Sequence, residues 1–174
     1  MSGIGATQVY SLENYRKINS PIIDVRTPKE FEDGHLPGSL NIPIFSNKER
    51  EIIGKIYKKQ GQDKAILRGL EIIKIKIPEI QNSFNSIKNE IYNNSTNCNL
   101  KRKNLLRVYC WRGGMRSKSM AWLASLKEFN VLILEDGYKS YRRWVIKQFE
   151  KKWPILLIGG KTGTGKTDLL LSLS

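Results

Sequence analysis

The stretch "LLRVYCWRGGMRS", residues 105–117, decides how this 174-residue chain is read. Residues 105–110 are a short, mainly apolar run of strand length that ends on Cys110. Arg112, Gly113, Gly114, Arg116 and Ser117 follow at once. A helix is then expected from about Arg116 to Glu128, with Met120, Trp122, Leu123 and Ala124 turned inward. A cysteine placed between strand and helix stands where a parallel sheet presents its reactive groups, at the carboxyl end of a strand.

The loop has the makings of an anion cup. Gly113 and Gly114 permit the positive-φ backbone that such a curl needs. The N–H groups from Trp111 through Met115 to Arg116 can then converge on one point. The helix that begins near Ser117 adds the partial positive charge of its N-terminus, and Arg112 and Arg116 add full charges. Each feature favours a thiolate at Cys110 over an inert buried thiol, and would equally steady a persulfide anion or an oxyanion beside it. The spacing Cys110-x5-Arg116-Ser117 fits two chemistries: thiolate attack on phosphorus, with an arginine on the equatorial oxygens, and acceptance and relay of a sulfur atom. Local spacing does not separate them.

Working outward, "PIIDV" (21–25) reads as another buried strand, followed by Thr27 as a helix N-cap, Pro28 as the first helical residue and Gly34 as the stop. "GHLPGSLNIP" (34–43) is a turn-rich connection with a short extended piece around Leu40. Ser46 and Glu49 have capping-box spacing, so a helix starts there, with Ile52, Ile53, Ile56 and Tyr57 on one face and Gly61 at its end. A second helix is expected over 62–73 and, broken from it by Pro78, a third over 79–92. The polar stretch 93–104 reads as a loop. "VLILE" (131–135) is a strand closed by an Asp-Gly turn, and 138–152 is a basic, aromatic-rich helix. A last strand is expected over 155–160 and a helix over 166–173. Strands alternating with helices give an α/β fold with a mainly parallel sheet flanked by helices.

Composition narrows the function classes. Thirty Lys and Arg against 16 Asp and Glu give a net charge of +14, a surface suited to a polyanion such as nucleic acid. Arg142, Arg143 and Lys147 are the candidate contacts on the basic helix. No apolar run is long enough to span a bilayer and the N-terminus carries no signal-peptide pattern, so a cytoplasmic protein without a membrane partner is expected. Cys98 and Cys110 form no C-x-x-C pair, and His35 is the single histidine, so neither a zinc site nor a disulfide is expected. His35, in a turn, is expected to pack and hydrogen-bond rather than act as a base.

"GKTGTGKT" (160–167) fits G-x-x-x-x-G-K-[ST] between an apolar run and a helix. Gly160, Gly163, Gly165 and Lys166 would cradle phosphate, and Thr167 would offer a hydroxyl to Mg²⁺. The sequence ends at Ser174, so this motif is expected to open a larger nucleotide-type domain beginning near residue 153.

Asp24-Val25-Arg26, Glu30-Phe31, Gly34-His35 and Gly38 to Pro43, followed by a strand that ends in the loop cysteine, resemble the rhodanese domain in identity and order. The resemblance covers residues 7–152, with a helical insert at about 46–104. It implies a rhodanese-like parallel sheet, Cys110 as carrier of a persulfide or perselenide, and Asp24 and Arg26 as braces of the loop. Taken with "EDGYKSYRRW", "NIPIFSNKEREIIGKIYKKQG" and the phosphate loop, the chain resembles the bacterial tRNA 2-selenouridine synthases, as their first domain and the opening of a truncated P-loop domain. That resemblance implies selenium for sulfur exchange in the wobble 2-thiouridine of tRNA. Selenophosphate is the implied donor, geranyl diphosphate the source of a geranylated intermediate, and no cofactor is tightly bound. A freestanding sulfurtransferase, an inactive remnant or RNA-binding module, and a phosphatase are the competing readings.

Overall fold

The computed structural model describes residues 5–93, 104–152, 154 and 157–173. Its elements run β1 (Thr7–Tyr10), α1 (Leu12–Arg16), β2 (Ile22–Asp24), α2 (Pro28–Glu32), β3 (Ser39–Asn41), α3 (Asn47–Gln60), α4 (Gln62–Asn93), β4 (Leu105–Tyr109), α5 (Met115–Ser125), β5 (Asn130–Leu134), α6 (Gly137–Phe149) and α7 (Lys166–Ser172). The five strands form one sheet in the order β1-β5-β4-β2-β3, and every pairing is parallel. Crossovers in sequence require helices on the faces of such a sheet, and the interior follows from that.

Strand alternation divides the core into two. Leu106, Val108 and Cys110 point to the face covered by α4 and α5, where they meet Ile80, Phe84, Ile87, Met120 and Ala124. Tyr109 points to the opposite face and packs with Tyr15, Leu36, Leu132 and Leu134, flanked by Tyr138 and Tyr141. The register aligns Asp24 with both Asn41 and Tyr109. The carboxyl ends of β2, β3 and β4 therefore finish side by side, and the chemistry-bearing loops leave from one edge.

The expected capping box at Ser46 forms, and the expected N-cap Thr27 makes a second one with Glu30. Thr27 Oγ1 accepts from the Glu30 amide and Ser46 Oγ from the Glu49 amide, with each glutamate returning to its cap. The largest departure from the expected elements is α4, one helix of 32 residues that carries Pro78 inside it. Proline removes one backbone hydrogen bond and crowds the carbonyl of Lys74, at a cost of about 3 kcal/mol. Ile80, Phe84 and Ile87 beyond it are buried in the same core against which Ile72, Ile73 and Ile77 before it pack. Each large apolar side chain contributes about 1.5–3 kcal/mol on burial, so packing outweighs the break.

Smaller corrections share that logic. Trp122 is 60% exposed rather than inward, because α5 is buried through Met120, Ala121, Leu123 and Ala124. No residue of α3 is buried: Ile53 and Ile56 are half covered, while Ile52 and Tyr57 are exposed. The Asp-Gly turn after β5 begins α6 directly, with Asp136 at φ 55° as its N-cap. β1 and α1 carry no periodic signal and were not expected; β1 is an edge strand whose Thr7, Gln8 and Val9 stay exposed. Residues 157–160 are not a strand, and Leu157 is 88% exposed. They pair with no strand of the sheet, and an unpaired segment cannot hold that conformation by itself. Residues 155 and 156, and Cys98 with nearly all of the expected 93–104 loop, lie outside the described residues. Among the described residues no helix is long and apolar enough to cross a membrane.

Pro78→Ala restores the missing hydrogen bond in a helix that is already continuous. It is expected to raise the unfolding free energy by about 1–3 kcal/mol, read as a higher Tm. An unchanged or lower Tm would mean that the helix is interrupted there.

Candidate active site

The cysteine loop is seated on the first turn of α6. The amides of Tyr138 and Lys139 donate to the carbonyls of Cys110 (2.8 Å) and Trp111 (3.1 Å). A trans peptide directs its C=O and the following N–H to opposite sides. With the 110 and 111 carbonyls turned onto α6, the N–H groups of Trp111 and Arg112 point away from it. Among the described residues the N–H groups of Trp111, Arg112, Gly113 and Gly114 donate to no protein acceptor. The N-terminus of α5, capped by Gly114 without any side-chain bond, adds its first-turn donors.

Two glycines make this seat possible. Gly113 stands at φ 65°, and a Cβ there would lie 2.7 Å from the Leu134 carbonyl. Gly137 stands at φ 55°, and a Cβ would lie 2.2 Å from the Cys110 carbonyl oxygen and 2.9 Å from the Arg112 nitrogen. The loop and the start of α6 are thus in backbone contact, which is why the Asp-Gly pair matters as much as the glycines of the loop itself. Gly114 has open space around it.

Behind the loop lies a buried ion pair. Arg26 and Asp24 are both fully buried. Arg26 Nε and Nη2 donate to the Asp24 carboxylate at 2.6–3.0 Å, the Arg26 amide donates to Asp24 Oδ1, and Nη2 also reaches the Gly34 carbonyl. Burial works against the charged guanidinium, but the bonds and charge of Asp24 reverse this and raise the Arg26 pKa above its ordinary value. The guanidinium lies 3.9 Å over the Tyr138 ring and 5.9 Å from that of Trp111. Asn41 completes the frame by donating to the carbonyls of Asp24 and Arg26. Tyr109, whose hydroxyl accepts from the Leu36 amide and shares a bond with Ser39, is held protonated to unusually high pH by burial and by the Asp24 charge. Arg26 Nη1 and Ser117 Oγ are buried without a hydrogen-bond partner.

In front of the loop is a cleft of about 870 Å³ shared by Cys110, Arg112, Arg116, Glu30, Asp33 and Arg50, with an apolar wall from α3 and α4. Cys110 is only 3% exposed, packing on the apolar core from one side and bordering this cleft from the other. Arg116 does not point its guanidinium freely at the sulfur: it is bound by both oxygens of Glu30, at 2.8 and 3.3 Å. Burial alone would raise the Glu30 pKa, but Arg116 and the Thr27 amide hold it below the ordinary carboxylate value. Glu30 and Arg50 received no role in the sequence reading. The available signals were that a capping-box glutamate has a second oxygen to give and that Arg50 immediately follows the second capping box. Partial desolvation at the cleft's edge and the Arg116 charge lower the pKa of the otherwise exposed Arg50, with Glu30 and Cys110 acting in the opposite sense.

The remaining expected residues are dispersed. Arg142 and Lys147 are exposed on α6, and Arg143 pairs with Asp136 at 2.6 Å. The aromatics of that helix run in a row from the loop's Trp111, tilted at Trp111–Tyr138 and Tyr138–Tyr141 and stacked at Tyr141–Trp144, with Arg16 over the last ring. They therefore pack against the protein instead of standing free. His35 bonds the Phe31 carbonyl through Nδ1 and stacks on its ring. In the phosphate loop Gly160, Gly163 and Gly165 all have positive φ. Lys166 Nζ folds onto the carbonyls of Gly160 and Lys161 and onto Thr164, and the loop and α7 are largely exposed.

Comparison with known proteins agrees with the fold. The family model for the rhodanese-like domain matches residues 7–143. A protein of Shewanella woodyi called tRNA 2-selenouridine synthase is 37% identical over 164 residues, covering 88% of this chain and 40% of its own. One of the same name from Proteus mirabilis is 36% identical, covering 94% and 43%. The chain thus spans about two-fifths of the length of these curated relatives. A crystal structure of an N-terminal domain from Clostridium difficile 630 superposes with a TM-score of 0.67 at 34% identity, covering 80% of this chain and 99% of that one.

Two outcomes follow from the site's construction. Gly137→Ala drives a methyl group into the Cys110 carbonyl and is expected to lower Tm by several degrees, since a strained special φ costs about 1–3 kcal/mol. A Tm equal to the parent's would show that loop and helix are not in contact. Because the Glu30 pKa is depressed on folding, its pair with Arg116 contributes fully above the ordinary glutamate value and is lost as pH falls through the lower folded value. The stability gap between the parent and Glu30→Gln should therefore stay constant from neutral pH to about pH 5 and then close with further acidification. A gap that does not depend on pH would contradict the pair.

Proposed function

Because this chain belongs to the rhodanese-like domain family, we propose that Cys110 is the nucleophile of a chalcogen transferase that serves tRNA modification. The observation that carries the reading is the set of unpartnered amides around the one cysteine that ends a central strand. In the proposed loading step the Cys110 thiolate attacks the outer sulfur of a donor such as thiosulfate. The S–S bond of the donor breaks, sulfite leaves with the electron pair, and a persulfide anion remains on Cys110. Loop amides from Trp111 to Arg116 steady that anion.

By similarity to the curated relatives, the finer reading is replacement of sulfur by selenium in tRNA wobble 2-thiouridine. Selenophosphate is then the donor, and geranyl diphosphate supplies an intermediate geranyl group. Asp24 and Arg26 act as positioning residues, since they are buried and bonded to one another. The net charge of +14 supports a tRNA partner. Arg142 and Lys147, exposed on α6, are the candidate backbone contacts, with Arg143 shared with Asp136.

Gly160, Gly163, Gly165 and Lys166 are proposed to hold a phosphate or diphosphate group, which would displace the carbonyls now occupying Lys166. Thr167 could give one hydroxyl to Mg²⁺. Among the described residues no three Asp, Glu, His or Cys side chains gather as metal ligands, so this loop alone does not complete a coordination shell.

With thiosulfate as donor and cyanide as acceptor, the chain should form thiocyanate, and Cys110→Ser should abolish it. Binding of tRNA should weaken steeply with salt in parent and variant alike. Undiminished thiocyanate formation by Cys110→Ser would remove Cys110 from the chemistry. Salt-independent tRNA binding would remove the electrostatic partner.

A further inference from the structure

Among the described residues, the helical insert contributes one charged group to the cysteine cleft. Arg50 lies in the opening turns of α3, directly after the Ser46–Glu49 capping box that fixes the start of the helix. It borders the same cleft as Cys110, Arg112 and Arg116. Its neighbours differ in how their charge is used. Arg116 is committed to Glu30 through two hydrogen bonds, and Lys76 holds the capping glutamate Glu49. Arg50, like Arg112 on the loop, forms no ion pair among the described residues, although Glu30 and Asp33 line the cleft with it.

An unpaired guanidinium beside another guanidinium is electrostatically unfavourable unless something negative joins them. A helix N-terminus adds further positive potential at the same place. Glu30 is already engaged: Oε2 accepts from Arg116 and the Thr27 amide and Oε1 from Arg116, and neither oxygen bonds Arg50. The one other group of opposite sense that Arg50 feels is Cys110. The arrangement therefore asks for a small anion that faces Arg50 on one side and the loop amides on the other.

We propose that Arg50 is the anion-gripping residue of the donor site, holding the tetrahedral oxyanion end of the chalcogen donor while its transferable atom meets Cys110. This rests on the transferase reading and adds to it a binding residue supplied by the insert instead of the loop. Arg116 is then a positioning residue, fixed by Glu30, and the insert selects for a doubly charged, tetrahedral donor over a neutral one. Guanidinium pairs two oxygens of such a group at once, which an ammonium does not.

The test uses inorganic phosphate as an unreactive tetrahedral dianion and iodoacetamide as an uncharged probe, followed at the Cys110 peptide by mass spectrometry at constant ionic strength. In the parent chain phosphate should slow alkylation of Cys110. Arg50→Ala should need about tenfold more phosphate, or higher, for the same protection, as expected for loss of a charge-assisted contact. Arg50→Lys should fall between them, and Lys48→Ala, removing another cation of α3, should match the parent. In the thiosulfate–cyanide assay Arg50→Ala should raise the KM for thiosulfate by a similar factor and leave kcat within about twofold. Equal protection in parent and Arg50→Ala, or no protection of the parent, would overturn the proposal, as would a fall in kcat at unchanged KM. Phosphate protection that depends on Arg50 in a chain forming no thiocyanate would uphold the anion grip while refuting the transferase reading. Melting curves of the variants, at an exposed position of a helix without buried residues, separate these effects from unfolding.

Discussion

The contact on which the site depends is the one between two stretches of backbone, the carbonyls of Cys110 and Trp111 and the first amides of α6. It joins the end of β4 to the end of β5, two strands that are neighbours in the sheet. Because each carbonyl is taken on the α6 side, the next amide must face the other way. One pair of hydrogen bonds thus both anchors the loop and orients its donors. Such closeness is open only to glycine at 113 and 137, where any side chain would strike main-chain atoms.

The polar interior behind the loop makes sense as support for that contact. A buried ion pair is a weak source of stability, because desolvation offsets most of the attraction. Asp24–Arg26 instead fixes geometry: it ties the end of β2 to Gly34 and presents a flat cation to Tyr138, the residue whose amide holds the Cys110 carbonyl. Gly34 leaves room for that ring, since a Cβ there would lie 2.5 Å from the Tyr138 hydroxyl. The motif residues that look scattered in sequence, the Asp-x-Arg, the Gly-His and the Asp-Gly-Tyr, are consecutive layers of one support.

Much of this was legible in sequence because it depends on local rules. The N-cap at Thr27, the capping box at Ser46, the helix stop at Gly61 and the strand that ends just before Cys110 are each specified within a few residues. What was not legible depends on distant contacts. Pro78 reads as a break until one sees that the apolar residues on either side of it share a core. β1 has no alternation to read, since it is an exposed edge, and residues 157–160 satisfy a strand pattern without a strand to pair with. At the site, the loop cysteine and its glycines were readable, whereas Glu30 and Arg50 were not. Their roles come from the docking of α2 and α3 beside α5, which no spacing encodes.

The central claim is that Cys110 accepts a chalcogen atom in a cup of main-chain donors. Its most direct measurement is intact-peptide mass spectrometry of the wild-type chain after brief exposure to thiosulfate, without reductant. The account expects the peptide containing Cys110 to gain one sulfur, removable by cyanide, while the peptide containing Cys98 does not. A Cys110 peptide of unchanged mass, in a chain still folded by its melting curve, would contradict it.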